Sequence, residues 1–463
     1  MRHSIYPLPL RLRAESEPAP GRQTAEMLRV ERTLLEAADT LGRALGLDRR
    51  QFLRSGCGMA AAFVALNSVF GPVFAVDPAE AADPEAAAER TRPLRDQLIV
   101  DVQTHFVSPR YRAPRILGLR EMAKAWNPLL RGKQTLEEIR FENYFREVFL
   151  GSDTGVAVLS NAPADRRERW FLSNEEALRA RETLQERAGS RRLLAHAVFT
   201  PGQPGWLDQL EKAAELRPDG WKGYSVGSPS EESRWPWRLD DEKLAYPAYE
   251  KMVKAGITTV AIHKGLLPPG YEKTMPKTWR YGSVMDLPRA ARDWPQLKFV
   301  IYHSALRSGG IPSALDRNAF EEKGTIPWVT ELAAIPEKHG VSNVYAELGS
   351  VFAMTAVSAP RYCAGLLGTL VRGLGEDKVV WGTDSVWYGS PQWQIEALRR
   401  LEIPADLQRK FGFQPLGAAD GPVKSKIFAG NAAALYAYST DSLKTDKLAT
   451  MKAAGGAAEG RSR

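Results

Sequence analysis

At 463 residues, with 44% hydrophobic and 25% charged side chains, the chain has the length and composition of a globular protein with a large core, which excludes disordered, fibrous and collagen-like classes. Its formal net charge is +8, but residues 1–75 hold ten arginines against seven acidic residues, so the rest is only mildly basic, and no Arg/Lys stripe interleaved with aromatics marks a nucleic-acid surface. The two cysteines, Cys57 and Cys363, are too few for a disulfide framework, and no repeat or long coiled coil suggests a scaffold.

In chain order the first feature is Asp48-Arg49-Arg50-Gln51-Phe52-Leu53-Arg54, followed by a run from Gly56 to Phe74 without a charged residue. This resembles a twin-arginine export signal, with a peptidase site near Ala75 in Val73-Phe74-Ala75. The resemblance implies a leader over 1–75, the twin-arginine translocation machinery as a partner, and a periplasmic protein. The run is rich in Gly, Ala and Ser and broken by Asn67 and Pro72, which makes it a poor membrane span. Because 48 residues precede the arginine pair, Met27 is an alternative start. Residues 76–96, made of Ala, Pro and charge, read as a linker; 97–440 form the folded domain; 441–463 read as a disordered tail.

Within the domain, eight short apolar runs bounded by turn residues read as parallel strands buried on both faces: 98–102, 155–159, 193–198, 220–224, 257–262, 298–302, 344–347 and 378–381. Helical stretches lie between them at 174–187, 206–216, 241–255, 327–339 and 359–374, and Gly256, Gly340 and Gly375 close the last three. This alternation predicts an α/β fold, a closed (β/α)8 TIM barrel. The rival, an open dinucleotide-binding sheet, needs a G-x-G-x-x-G after the first strand, and none follows. Insertions at 110–149, 225–240 and 266–281 follow strands one, four and five. There Trp235-Pro236-Trp237 and Pro268-Pro269-Gly270-Tyr271 either line a pocket or simply pack.

Four metal-competent side chains stand at strand C-termini: His105 after strand one, His263 after strand five, His303 after strand six and Asp384 after strand eight. A barrel gathers those ends on one face, so the four are expected in one pocket. Two imidazoles and a carboxylate suit a divalent ion, zinc first, or manganese if more oxygen ligands join. By the same placement His196, inside strand three, His339, at a helix end, and Cys363, in an apolar helix, read as structural.

With these residues the chain resembles the amidohydrolase superfamily, in the amidohydrolase-related branch that includes aminocarboxymuconate semialdehyde decarboxylase and resorcylate-type decarboxylases. The resemblance runs from about residue 97 to the closing Ile427-Phe428-Ala429-Gly430-Asn431-Ala432-Ala433-Ala434-Leu435-Tyr436. It implies a metal-dependent hydrolase type of barrel with one metal on His105, His263 and Asp384, and His303 as a non-ligand or second-metal histidine. The family's strand-one pattern, Asp-x-His-x-His, is broken by Gln103, whose amide oxygen would be a weak fourth ligand. Lys222 stands where some members carry a carbamylated lysine; without a second metal it reads as a substrate-anion contact, and Glu347 as a substrate contact or a partner for a loop lysine.

The mechanism implied has a metal-activated water, with Asp384 as proton shuttle and His303 on the oxyanion. The expected function is an exported hydrolase of a small carbonyl, ester, amide or lactone substrate. The alternatives are a non-oxidative decarboxylase with the same constellation, a metal-free lactonase, and a metal-free periplasmic binding barrel. Such barrels often pair, so a homodimer is compatible with the sequence, although it shows no interface.

Overall fold

Strands covered on both faces must be apolar at almost every position, and that pattern places the eight strands of the barrel. The structure, a computed structural model, describes residues 7–10, 24–124, 130, 132–228, 232–267 and 270–439; the expected tail and the Pro268-Pro269 pair lie outside them. The strands are β1 (Val100–Thr104), β2 (Val156–Leu159), β3 (Leu193–Val198), β4 (Gly220–Tyr224), β5 (Thr259–His263), β6 (Lys298–Tyr302), β7 (Val344–Glu347) and β8 (Val379–Val380). They pair in parallel in sequential order, as a (β/α)8 barrel requires.

Barrel closure falls at the seam between β1 and β8. There Val102 N–H donates to the Trp381 carbonyl (2.9 Å), Asp384 N–H to that of Gln103 (2.9 Å) and His105 N–H to that of Ser385 (2.6 Å). Asp101 reinforces the seam from β1 by accepting hydrogen bonds from Gln103 N–H (3.1 Å), Thr383 N–H (3.0 Å) and the Thr383 hydroxyl. Burial pushes the Asp101 carboxyl up to about 7 even against these donors.

Helices follow their caps. Asn174–Ala188 starts in a Ser173/Glu176 capping box and ends on Gly189 in the left-handed conformation. The helix expected over 327–339 is two, Val329–Ala333 and Ile335–His339, because Pro336 lacks the N–H that would continue the first. Asn431–Tyr436 closes the opposite end of the barrel from the site: Leu435 accepts from the Thr259 hydroxyl (2.8 Å), and Tyr436 Oη meets His196 Nε2 (2.8 Å). His196 is thus a buried core residue bonded through Nε2, held neutral by burial that lowers its pKa to about 3. Trp237 packs too, its indole N–H on the Tyr224 carbonyl (2.9 Å).

Residues 24–96 precede β1 as five α-helices, α1 (Ala25–Ala44), α2 (Arg49–Leu53), α3 (Gly56–Phe70), α4 (Pro78–Ala82) and α5 (Pro84–Thr91), and a 3-10 turn (Arg92–Leu94). Where Ala, Pro and charge suggested a linker, Asp77-Pro78 and Asp83-Pro84 each supply an N-cap followed by proline at the first helical position, so the same composition starts two helices. Among the described residues no helix is long and apolar enough to cross a membrane.

If the seam carries the barrel, Asp101→Ala, which orphans three buried donors, lowers stability by about 3 kcal/mol or more in urea unfolding. A loss below about 1 kcal/mol would show that the seam does not depend on this carboxylate.

Candidate active site

The strand C-termini bring Gln103, His105, His263, His303, Glu347 and Asp384 to one end of the barrel, on β1, β5, β6, β7 and the loop after β8. Asp384 lies at the centre. Its Oδ1 is 3.0 Å from His105 Nε2 and accepts from Gln103 Nε2 at 3.1 Å, while Oδ2 accepts from the Ser350 hydroxyl, which also meets Tyr388 Oη at 2.7 Å. Burial would raise the Asp384 carboxyl, but the hydrogen bonds from His105 and Ser350 and the positive potential of the histidines outweigh it and hold it below the usual carboxylate range. Ser350 and Tyr388 stand three and eight residues past the ends of β7 and β8, with no flanking pattern in the sequence to mark them.

The second half of the site is a histidine relay. His303 Nδ1 lies 2.9 Å from the Gly349 carbonyl, which can only accept, so Nδ1 carries the proton and Nε2 is the acceptor. His263 Nδ1, 2.9 Å away, therefore donates to His303 Nε2, and His263 Nε2 is left as a lone-pair nitrogen. Burial, and then the neighbouring histidine, hold His263 well below its ordinary pKa, and burial lowers His303 to about 4, so both rings are neutral at pH 7. Tyr224 stacks on His263 with centroids 4.4 Å apart and fixes the plane of that ring.

Several site residues are strained. His303, Ser304 and Ala305 form a left-handed run (φ 61°, 47° and 55°), and Ser350 and Asp384 also have positive φ (61° and 59°). Each such residue costs about 1–3 kcal/mol, which the surrounding packing must offset. Glu347 supplies part of that restraint by accepting from His303 N–H (3.0 Å) and Gly349 N–H. Gly382 leaves room for it, since a Cβ there would lie 1.8 Å from Glu347 Oε1.

Three expectations change. Glu347 is fully buried with both oxygens on backbone donors, so it holds the β6 and β7 loops and has no loop-lysine partner among the described residues. Lys222 is also fully buried, its amine 3.8 Å from the Tyr302 ring centroid and 4.7 Å from that of Tyr224, where burial lowers its pKa well below the usual value; it is no open anion contact. And among the described residues no group of three or more His, Cys, Asp or Glu is spaced to hold a metal. The expected set of His105, His263 and Asp384 does not meet at one point, because His263 turns its Nδ1 to His303.

The third corner near His105 and Asp384 is the amide of Gln103. Gln103 Nε2, His105 Nε2 and Asp384 Oδ1 stand 3.0, 3.1 and 3.4 Å apart. Ligand atoms about 2.1 Å from a divalent ion are spaced by roughly 3.0–3.4 Å. The corner offered by Gln103 is its nitrogen, while its buried Oε1 has no hydrogen-bond partner. A half-turn of the amide exchanges the two. It would set Oε1 among the ligands and the NH₂ near Glu347, whose Oε1 borders the same space over Gly349: a Cβ there would lie 2.2 Å from Gln103 Oε1 and 2.5 Å from Glu347 Oε1. In that orientation the donor set fits one divalent cation.

The lowered His303 pKa sets the sign of a pH effect. A histidine held neutral by folding contributes stability above its unfolded pKa of about 6.5 and loses it as pH falls toward about 4. Ring nitrogen NMR of histidine-labelled protein is expected to find His303 unprotonated at pH 5.5; a midpoint near 6.5 would contradict the relay.

The family profile described as amidohydrolase matches residues 100–437. No curated protein matches the chain. Among solved structures it is similar to an uncharacterized TIM-barrel protein from Bordetella bronchiseptica, at 15% identity and TM-score 0.48, covering 73% of this chain and 98% of that one. It is also similar to 5-carboxyvanillate decarboxylase from Sphingomonas paucimobilis (15%, TM-score 0.42, 74% and 100%). A protein from Acinetobacter baumannii, described as a probable 2-pyrone-4,6-dicarboxylic acid hydrolase, is another (13%, TM-score 0.42, 73% and 99%). With a (β/α)8 barrel and a family match over most of its length, the chain belongs to the amidohydrolase family.

Proposed function

We propose that the chain is a hydrolase of a small ester, amide or lactone, with one divalent cation held by Asp384, His105 and the turned amide of Gln103. The observation that carries this reading is the buried, partnerless Gln103 Oε1 beside two ligand atoms at coordination spacing. With two oxygens among three donors, manganese is the preferred ion in place of zinc. The bound ion would polarise the substrate carbonyl and acidify a water.

The remaining steps belong to the chain's own residues. His263 Nε2 takes the proton of the attacking water, while the His263–His303–Gly349 relay fixes its tautomer and orientation. This replaces Asp384 as the proton acceptor, since both of its carboxylate oxygens already accept hydrogen bonds. Asp384 and His105 anchor the site, and Glu347 holds the loops that carry His303 and Gly349.

Hydrolysis and decarboxylation differ in their products. A panel of carboxylated esters, amides and lactones turned over in ¹⁸O-water is expected to give a carboxylate carrying one ¹⁸O and no carbon dioxide. Release of carbon dioxide without ¹⁸O in the organic product would assign a carbon–carbon lyase instead. His263→Asn should lower kcat/KM by about 10²–10⁴ with the fold intact; near-wild-type turnover would remove His263 as the base.

A further inference from the structure

The segment that resembles an export leader is built into the barrel. The arginine-pair motif forms α2, capped by Asp48, whose side chain accepts from Gln51 N–H while the Gln51 side chain accepts from Asp48 N–H. Arg49 is held by Asp39 on α1 through two hydrogen bonds of 2.7 and 2.5 Å, and Phe52 and Leu53 are buried. The start of α3 is pressed onto α2 at Gly58, where a Cβ would lie 2.3 Å from the Phe52 carbonyl. The apolar run that would be a signal core is the interior of this unit: Ala60, Ala62, Phe63 and Leu66 are completely buried.

The expected peptidase site is tied down even more closely. Val73, Phe74 and Ala75 run past the end of the helix Gln392–Arg400, joined to it by an isolated antiparallel bridge from Phe74 to Leu401. Ala75 N–H donates to the Arg400 carbonyl (2.6 Å) and Glu402 N–H to that of Val73 (2.7 Å). From the other side Asn67 clamps the same residues, its Nδ2 donating to the Phe74 carbonyl (2.7 Å) and its Oδ1 accepting from Val73 and Phe74 N–H (3.1 and 2.9 Å). Arg400 reaches into this leader: its guanidinium stacks 5.3 Å from the Phe63 ring centroid, pairs with buried Glu80 on α4 at 2.7 Å and donates to the Ala75 carbonyl. A buried ion pair of this kind is costly to break by removing one partner.

We infer that residues 24–96 are a permanent clamp on the helix Gln392–Arg400, kept in the working protein, and that the bond after Ala75 is no processing site in the folded chain. A signal peptidase binds an extended, accessible segment, whereas here the backbone of Val73, Phe74 and Ala75 is already paired and the Val73 and Phe74 side chains are buried, with only Ala75 exposed. Likewise the folded chain offers an export receptor a capped helix with Phe52 and Leu53 turned inward, so recognition by the translocation machinery would require α1–α3 to come away from the barrel. The inference rests on packing alone and stands or falls independently of the reaction proposed above.

The test uses the full chain, produced in a bacterium with an active twin-arginine pathway. Intact mass should show the purified, folded protein still carrying residues 24–96. Hydrogen exchange should show the amides of 60–66 and 73–75 slowed by about 10³-fold or more, comparable with β5 and β6. A folded product beginning near Val76, or exchange at unprotected rates through 60–75, would overturn the clamp.

Discussion

Everything at the site depends on how the first and last strands meet. Seven neighbouring strand pairs form parallel ladders, that of β1 and β2 with a register shift between Asp101 and Thr104, but β8 is only two residues long, and the eighth contact is completed by backbone bonds beyond its end and by Asp101. A buried carboxylate tying two strands is an expensive fastener, justified only because it satisfies three donors that would otherwise be orphaned. Its effect is geometric. Asp384 N–H on the Gln103 carbonyl and His105 N–H on that of Ser385 set the strand-one and strand-eight side chains face to face, within hydrogen-bond distance across a sequence gap of some 280 residues.

From that seam the site spreads through strained backbone. Left-handed conformations at His303, Ser350 and Asp384 put three functional loops into shapes their side chains disfavour, and Gly349 and Gly382 give Glu347 the space to hold two of them. Glu347, buried and with its carboxyl pushed well up by that burial, has the role of a restraint. Lys222 lies among the same groups with its amine on tyrosine rings, so its charge, if carried, would be felt by Glu347 and Asp384 without any direct bond. In the proposed reaction the chemistry would rest on few atoms: the lone pair of His263 Nε2, the anchored Asp384 carboxylate, and the Gln103 amide, whose orientation would decide whether a cation is bound.

The fold was legible where a single physical demand dominates. β3, β4, β6 and β7 begin and end where their apolar runs do, because both faces of those strands are covered. β1 ends two residues past its expected run, at Thr104, because Gln103 is a polar residue whose partner Asp384 lies in the loop after β8, and no local pattern reveals a partner some 280 positions away. Strand-end placement put the histidines and Asp384 at one end of the barrel, where they lie, but did not show which way His263 turns; that depends on the left-handed run at His303, which brings Nε2 within reach. Composition misread 76–96 because Ala, Pro and Asp are shared by linkers and by capped helix starts, and the order Asp-Pro was the informative feature.

The most direct measurement is calorimetric titration of metal-stripped protein with manganese and with zinc, comparing the wild type with His105→Ala, Asp384→Ala and Gln103→His chains. The account predicts one site per chain, absent in both alanine variants and tighter when imidazole replaces the amide of Gln103. Absence of binding in the wild type, with Gln103→His alone creating a site, would mean that the amide permanently donates to Asp384 and that the barrel works without a metal.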